Sequence, residues 1–219
     1  MTIIFWAGDS TNKQNSILTW PQTGIAQMFD RFIRRPDVCV ANHAENGRST
    51  KSFLEEGRLE PIEREIRAGD FLFVQFGHND EKQEDPLRYA DSDGEFGDNL
   101  RRFADAARQK NAIPVFITPV TRRGFANPDD RYHHDRWTAA AKRRAKELDV
   151  ACIDLTAMSE DLLIHTPAET LDRWFVPNDG THLQPEGAMA FGALIAQGLY
   201  RLGGEYRALL APEYIKSLE

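Results

Sequence analysis

Five short apolar runs punctuate the chain: Ile3 to Ala7, Val38 to Ala41, Phe71 to Phe76, Ile113 to Thr118 and Val150 to Leu155. Runs of this length, apolar on both faces, predict strands covered on either side. The segments between them carry helical spacing. Ile25, Met28, Phe29, Phe32 and Ile33 fall at i, i+3, i+4, i+7 and i+8. Leu100, Phe103, Ala104 and Ala107 repeat that spacing, as do Trp137, Ala140, Ala141, Ala145 and Leu148. A shorter helix is expected around Ile62 and Ile66, ending near Gly69. A last one starts near Pro185, whose fixed φ suits a first turn, and turns Met189, Ile195 and Leu199 inward.

Strands alternating with helices imply a parallel sheet with helices on both faces. Right-handed crossovers then leave few topologies, and a doubly wound α/β/α sandwich with five strands is the expected fold. Ligands in such sheets sit beyond the carboxyl ends of the strands. Ser10, Gly47, the Gly77-His78-Asn79-Asp80 stretch and Arg122-Arg123 each follow one of the first four runs, so all should meet at one edge. Two polar stretches, Glu81 to Asp98 and Gly124 to Asp135, read as long surface loops.

The chain has 219 residues, enough for one domain over 1–219 that buries roughly 70% of its unfolded surface. A formal charge of −7 argues against nucleic acid as a partner, although a local basic rim still permits an acidic substrate. No apolar stretch approaches the ~20 residues that span a bilayer, so no membrane partner is expected. The start lacks the features of a secretory signal, and the expected location is the cytoplasm. Cys39 and Cys152 lie in strand-like segments and read as two buried thiols rather than a disulfide.

Chemistry concentrates at the two ends. Gly8-Asp9-Ser10 follows the first run, and Asp179-Gly180-Thr181-His182 sets a carboxylate three residues before a histidine. Gly-Asp-Ser alone is usually a turn, and Asp-Gly alone a turn dipeptide. Together they supply a nucleophile, a base and an orienting acid. Imidazole titrates near neutrality, at about pH 6.5, and so suits a base. Asp179, one turn earlier, can reach the ring's Nδ1 through a tight loop and fix its tautomer. Backbone N–H groups of Ser10 and Gly47, with the Asn79 side-chain amide, are candidate oxyanion donors. Asn79 has a competing reading as a helix N-cap, and His78 reads as a support for its loop. There is no G-x-S-x-G elbow, Walker A loop, G-x-G-x-x-G, H-E-x-x-H or C-x-x-C.

Gly8-Asp9-Ser10, Asn46-Gly47-Arg48-Ser49, Gly77-His78-Asn79-Asp80 and Asp179-Gly180-Thr181-His182 resemble the first, second, third and fifth blocks of the SGNH/GDSL hydrolases, in the family's order. The resemblance implies a flavodoxin-like sandwich, a Ser10–His182–Asp179 triad, an oxyanion hole from Ser10, Gly47 and Asn79, and no metal or organic cofactor. Phe73 to Asp80, Ile117 to Arg123 and Asn46 to Phe53 further resemble bacterial rhamnogalacturonan acetylesterases. That branch implies an acetylated, pectin-derived oligosaccharide as partner. Arg48, Arg122 and Arg123 are then candidates for gripping a uronic-acid carboxylate, because guanidinium binds carboxylate bidentately. Each has an equal alternative as an ordinary surface ion pair. Trp174 reads as half-buried packing rather than a sugar platform. His133-His134, beside Asp130 and Asp135, reads as a solvated loop rather than a metal site. The competing functions are esters of other acyl groups, lipid or thioester among them, and a non-catalytic sugar- or nucleotide-binding module.

Overall fold

The computed structural model describes residues 1–125 and 134–219. Its strands are β1 (Thr2–Gly8), β2 (Val38–Asn42), β3 (Phe71–Gln75), β4 (Ile113–Ile117) and β5 (Ala151–Ile153), in the order β2-β1-β3-β4-β5. Every pairing is parallel. The helices are α1 (Ile25–Met28), α2 (Thr50–Glu55), α3 (Leu59–Glu65), α4 (Glu95–Gln109), α5 (Asp135–Leu148), α6 (Leu155–Ile164), α7 (Ala168–Trp174), α8 (Pro185–Leu202), α9 (Gly204–Arg207) and α10 (Pro212–Leu218). None of the helices among the described residues is long and apolar enough to cross a membrane.

Successive side chains of a strand point to opposite faces, and β1 shows the result. Ile4 and Trp6 join Ile25, Phe29, Phe191 and Ile195 beneath α1 and α8. Phe5 and Ala7 join Ile62, Leu100, Phe103 and Trp137 beneath α3, α4 and α5. Burying each large apolar side chain contributes about 1.5–3 kcal/mol, which is why the central strands tolerate almost no polar residue before their carboxyl ends. Trp6 meets Phe29 and Phe73 edge-on, with centroids 5.1 and 5.3 Å away, in the geometry that aromatic quadrupoles favour.

The periodicity of Ile25 to Ile33 overstates its helix. α1 stops at Met28 and a 3-10 turn follows over Phe29–Arg31. Beyond it Ile33 pairs with Leu210 in an antiparallel bridge, and Phe32 accepts the Ala211 N–H at 2.8 Å. The backbone leaves the helix to bond the carboxyl-terminal segment while its side chains stay in the core. The Glu81 to Asp98 stretch is not all surface loop either. Its last residues are the first turn of α4, where Phe96 is 1% exposed, and Glu81 at its start is buried. Cys39 and Cys152 are free and only half buried, on the two edge strands.

Candidate active site

The carboxyl end of β1 turns sharply because Asp9 Oδ1 accepts both the N–H (2.9 Å) and the hydroxyl (2.7 Å) of Thr11. This places Ser10 on top of the sheet. The segment after β2 is stitched alongside, with His43 N donating to Trp6 O at 2.9 Å and Glu45 N to Gly8 O at 3.0 Å. Gly47 follows at φ +74°, a left-handed conformation natural to glycine. Ser49 then caps α2 by accepting from Ser52 N at 3.1 Å, while Ser52 Oγ accepts from Ser49 N at 2.9 Å. The glycine loop is thus fixed at both ends.

After β3, Gly77 takes φ +147°, and a Cβ there would lie 2.4 Å from Pro119 Cγ. The next residues are buried and polar. Asp80 Oδ1 accepts the N–H (2.8 Å) and hydroxyl (2.5 Å) of Thr50 at the start of α2, tying the asparagine block to the glycine block. Asn79 starts no helix, so it serves as no N-cap. Its Oδ1 accepts from Arg88 Nη1 at 3.2 Å and its Nδ2 donates to Arg48 O at 3.1 Å, which sets the amide's orientation and leaves one N–H. His78 lies edge-on to His134, with ring centroids 4.3 Å apart, and its Nδ1 is 3.3 Å from Asp9 Oδ2. Burial, with His134 and Arg122 near by, pushes His78 down to about 4 against the pull of Asp9, so its imidazole is neutral. Burial pushes Asp80 up to about 8, and the Asp9 carboxylate adds to this, outweighing the Thr50 hydrogen bonds.

Asp179 and His182 sit in a loop closed by the antiparallel bridge Phe175↔Leu183, with Val176 N donating to His182 O at 2.9 Å. Asp179 Oδ1 accepts from Thr181 N (2.7 Å) and His182 N (2.9 Å), and Oδ2 from His182 Nδ1 (2.6 Å). With Nδ1 donating, Nε2 presents its lone pair to Ser10 Oγ, 3.0 Å away. Ser10, His182, Gly47 and Asn79 line one cleft of about 360 Å³. Among the described residues, the N–H groups of Ser10 and Gly47 meet no acceptor, which leaves them available to a ligand. An imidazole acceptor, a hydroxyl within hydrogen-bond reach of it and unclaimed N–H donors lining the same cleft can activate a nucleophile and stabilise a developing oxyanion at a carbonyl.

The three arginines separate. Arg48 leaves the cleft: its Nε contacts Glu56 at 3.0 and 3.1 Å and its Nη1 donates to Asn46 O at 2.8 Å. Arg123 meets Asp172 at 2.5 Å and lines a separate hollow behind Asp179 and Gly180. Only Arg122 lines the cleft, and it is engaged by Glu81 at 2.5 Å and by the Thr181 hydroxyl. The other oxygen of Glu81 meets His134 Nδ1 at 2.8 Å, which explains the burial of an acid expected on the surface. His134 is likewise buried rather than solvated, while Asp130 and His133 lie outside the described residues. Among the described residues, no three His, Cys, Asp or Glu side chains gather as metal ligands. Trp174 is half-buried and packs edge-on against Phe191. Sequence reasoning missed Lys82, Arg88 and Gln22 in the cleft lining; the only signal was the polar run that opens directly after β3.

A family model described as GDSL-like lipase/acylhydrolase matches residues 6–190, which takes in every block that builds the cleft. The chain belongs to that family. Within it, the chain is 41% identical over 215 residues to rhamnogalacturonan acetylesterase RhgT of Bacillus subtilis, with 91% of this chain and 90% of that one covered. It is 34% identical to the same organism's probable rhamnogalacturonan acetylesterase YesY, covering 91% and 93%. Among solved structures, the YxiM protein of B. subtilis superposes with a TM-score of 0.80 at 27% identity, covering 92% of this chain and 57% of that longer one. A catalytic mutant of Axe2, an acetylxylan esterase from Geobacillus stearothermophilus, gives 0.67 at 15% identity over 94% and 95%, a likeness of fold alone.

Proposed function

We propose that the chain is a serine esterase that removes acetyl groups from rhamnogalacturonan-type, pectin-derived carbohydrate. The observation that carries the chemistry is the relay Asp179–His182–Ser10, at 2.6 and 3.0 Å, facing unclaimed N–H groups in an open cleft. Ser10 Oγ attacks the acetyl carbonyl carbon as His182 Nε2 takes its proton. The oxyanion is held by Ser10 N–H, Gly47 N–H and the remaining N–H of Asn79. His182 returns the proton to the sugar oxygen as the ester C–O bond breaks, leaving acetyl-Ser10. A water, deprotonated by the same imidazole, then releases acetate. No cofactor is required for any of these steps.

The carbohydrate follows from the two acetylesterase relatives and the acetyl group from the cleft. Among the described residues its lining contains no aliphatic or aromatic apolar side chain, which favours a small acyl group over a long one. A non-catalytic binding module would have no use for a serine aligned with a base. The test is acetate release from acetylated rhamnogalacturonan oligosaccharides, beside acetylated xylan and p-nitrophenyl acetate. Ser10→Ala should lower release by at least about a thousandfold while melting as the parent does. A folded, pure Ser10→Ala protein that remains active would sink the mechanism, and preference for octanoate over acetate esters would overturn the acetyl assignment.

A further inference from the structure

On a chain of net charge −7, the described residues lining the cleft that holds Ser10 include three cations, Lys82, Arg88 and Arg122, and no carboxylate. Two of them have carboxylate partners. Arg122 is 2.5 Å from Glu81, and Arg88 is 2.5 Å from Asp85 while also holding Asn79. Lys82 differs: among the described residues no Asp or Glu oxygen lies within ion-pair distance of its ammonium. It is also held close to the chemistry. Lys82 N donates to Asn79 O at 3.3 Å, a turn that keeps the two Cα atoms within about 7 Å.

We propose that Lys82 binds the carboxylate of an acidic sugar next to, or bearing, the scissile acetyl group, and so sets a preference for uronate-containing over neutral substrates. This rests on the acetylesterase reading above and moves the carboxylate-binding role away from Arg48 and Arg123. A flexible point charge with three donors can follow a carboxylate presented from several ring positions. Partial burial, with Arg88 and Arg122 alongside, lowers the Lys82 pKa against the pull of Glu81 and Glu84, and a substrate carboxylate beside it would favour the charged form.

The experiment compares two forms of one substrate: acetylated rhamnogalacturonan oligosaccharides with free carboxylates, and the same oligosaccharides methyl-esterified. For the parent protein, kcat/KM should favour the free acid by about ten- to a hundredfold, the span of a charge-assisted hydrogen bond. In Lys82→Gln that ratio should fall close to one, and in Lys82→Arg most of it should return. Both variants are checked by thermal melting. A parent that cleaves p-nitrophenyl acetate through Ser10 but shows no preference would overturn the Lys82 assignment and leave the esterase standing. So would Lys82→Gln retaining the preference. A parent that releases acetate from no ester would overturn the esterase reading, and this inference with it.

Discussion

Asp179 takes three hydrogen bonds, from two backbone N–H groups and the His182 ring. Burial raises its pKa, but these bonds outweigh burial and hold the carboxyl below its ordinary range. A depressed acid is charged when folded, so its contribution to stability is present above the ordinary carboxylate pKa and lost only as pH falls through the lowered one. An amide could not satisfy all three donors. Asp179→Asn should therefore lower kcat by about 10²- to 10⁴-fold, read by single-turnover acetate release, and lower the melting temperature as well. The hydrogen-bonded Asp179–His182–Ser10 arrangement was legible in the sequence because Asp179 and His182 are three residues apart and Ser10 follows a strand end. The fates of the arginines were not. Whether Arg48 faces a ligand or Glu56, and Arg123 a ligand or Asp172, is decided by acids 8 and 49 residues away. Lys82 had only the polar run after β3 to point to it.

At the scale of elements, the strands were legible because both faces are buried, and α4, α5 and α8 because one long stripe faces the sheet. α7 and α10 bury no residue fully, and α2 is six residues long, so periodicity had little to register. The junction after β3 holds the sharpest local demand. Gly77→Ala would place a Cβ against Pro119 and force φ +147° on an L residue. Strain and overpacking together should cost about 2–5 kcal/mol, measured by urea denaturation. Because Asn79 lies two residues on, kcat should fall as well. A variant with parental stability would show that Pro119 yields easily.

The molecule as a whole is cross-linked above its sheet by buried polar groups: Asp9 with His78, Asp80 with Thr50, Glu81 with Arg122 and His134. Two of these titrate with opposite consequences. His78 is pushed down to about 4, so its stabilisation is present above the ordinary histidine value of about 6.5 and is lost as pH falls toward 4. Asp80 is pushed up to about 8, so its stabilisation is greatest below the ordinary carboxylate pKa and is lost as pH rises toward 8. The slopes oppose each other between about pH 4 and 6.5, and above that the Asp80 slope stands alone. Unfolding free energy should thus decline from about pH 6.5 to 8, and Asp80→Asn should flatten that decline. A parent equally stable across that window would exclude a neutral Asp80.

Ser10 and His182 are 172 positions apart, with β1 in mid-sheet between strands made after it. On a ribosome the nucleophile is made early and its base late, so on the proposed chemistry a nascent chain carries an inert serine until residue 182 has been synthesised. Chains broken off before residue 182 stay harmless to esters. Acetate release then certifies that two segments 172 residues apart have met, which makes turnover a stricter reporter of completed folding than helix content.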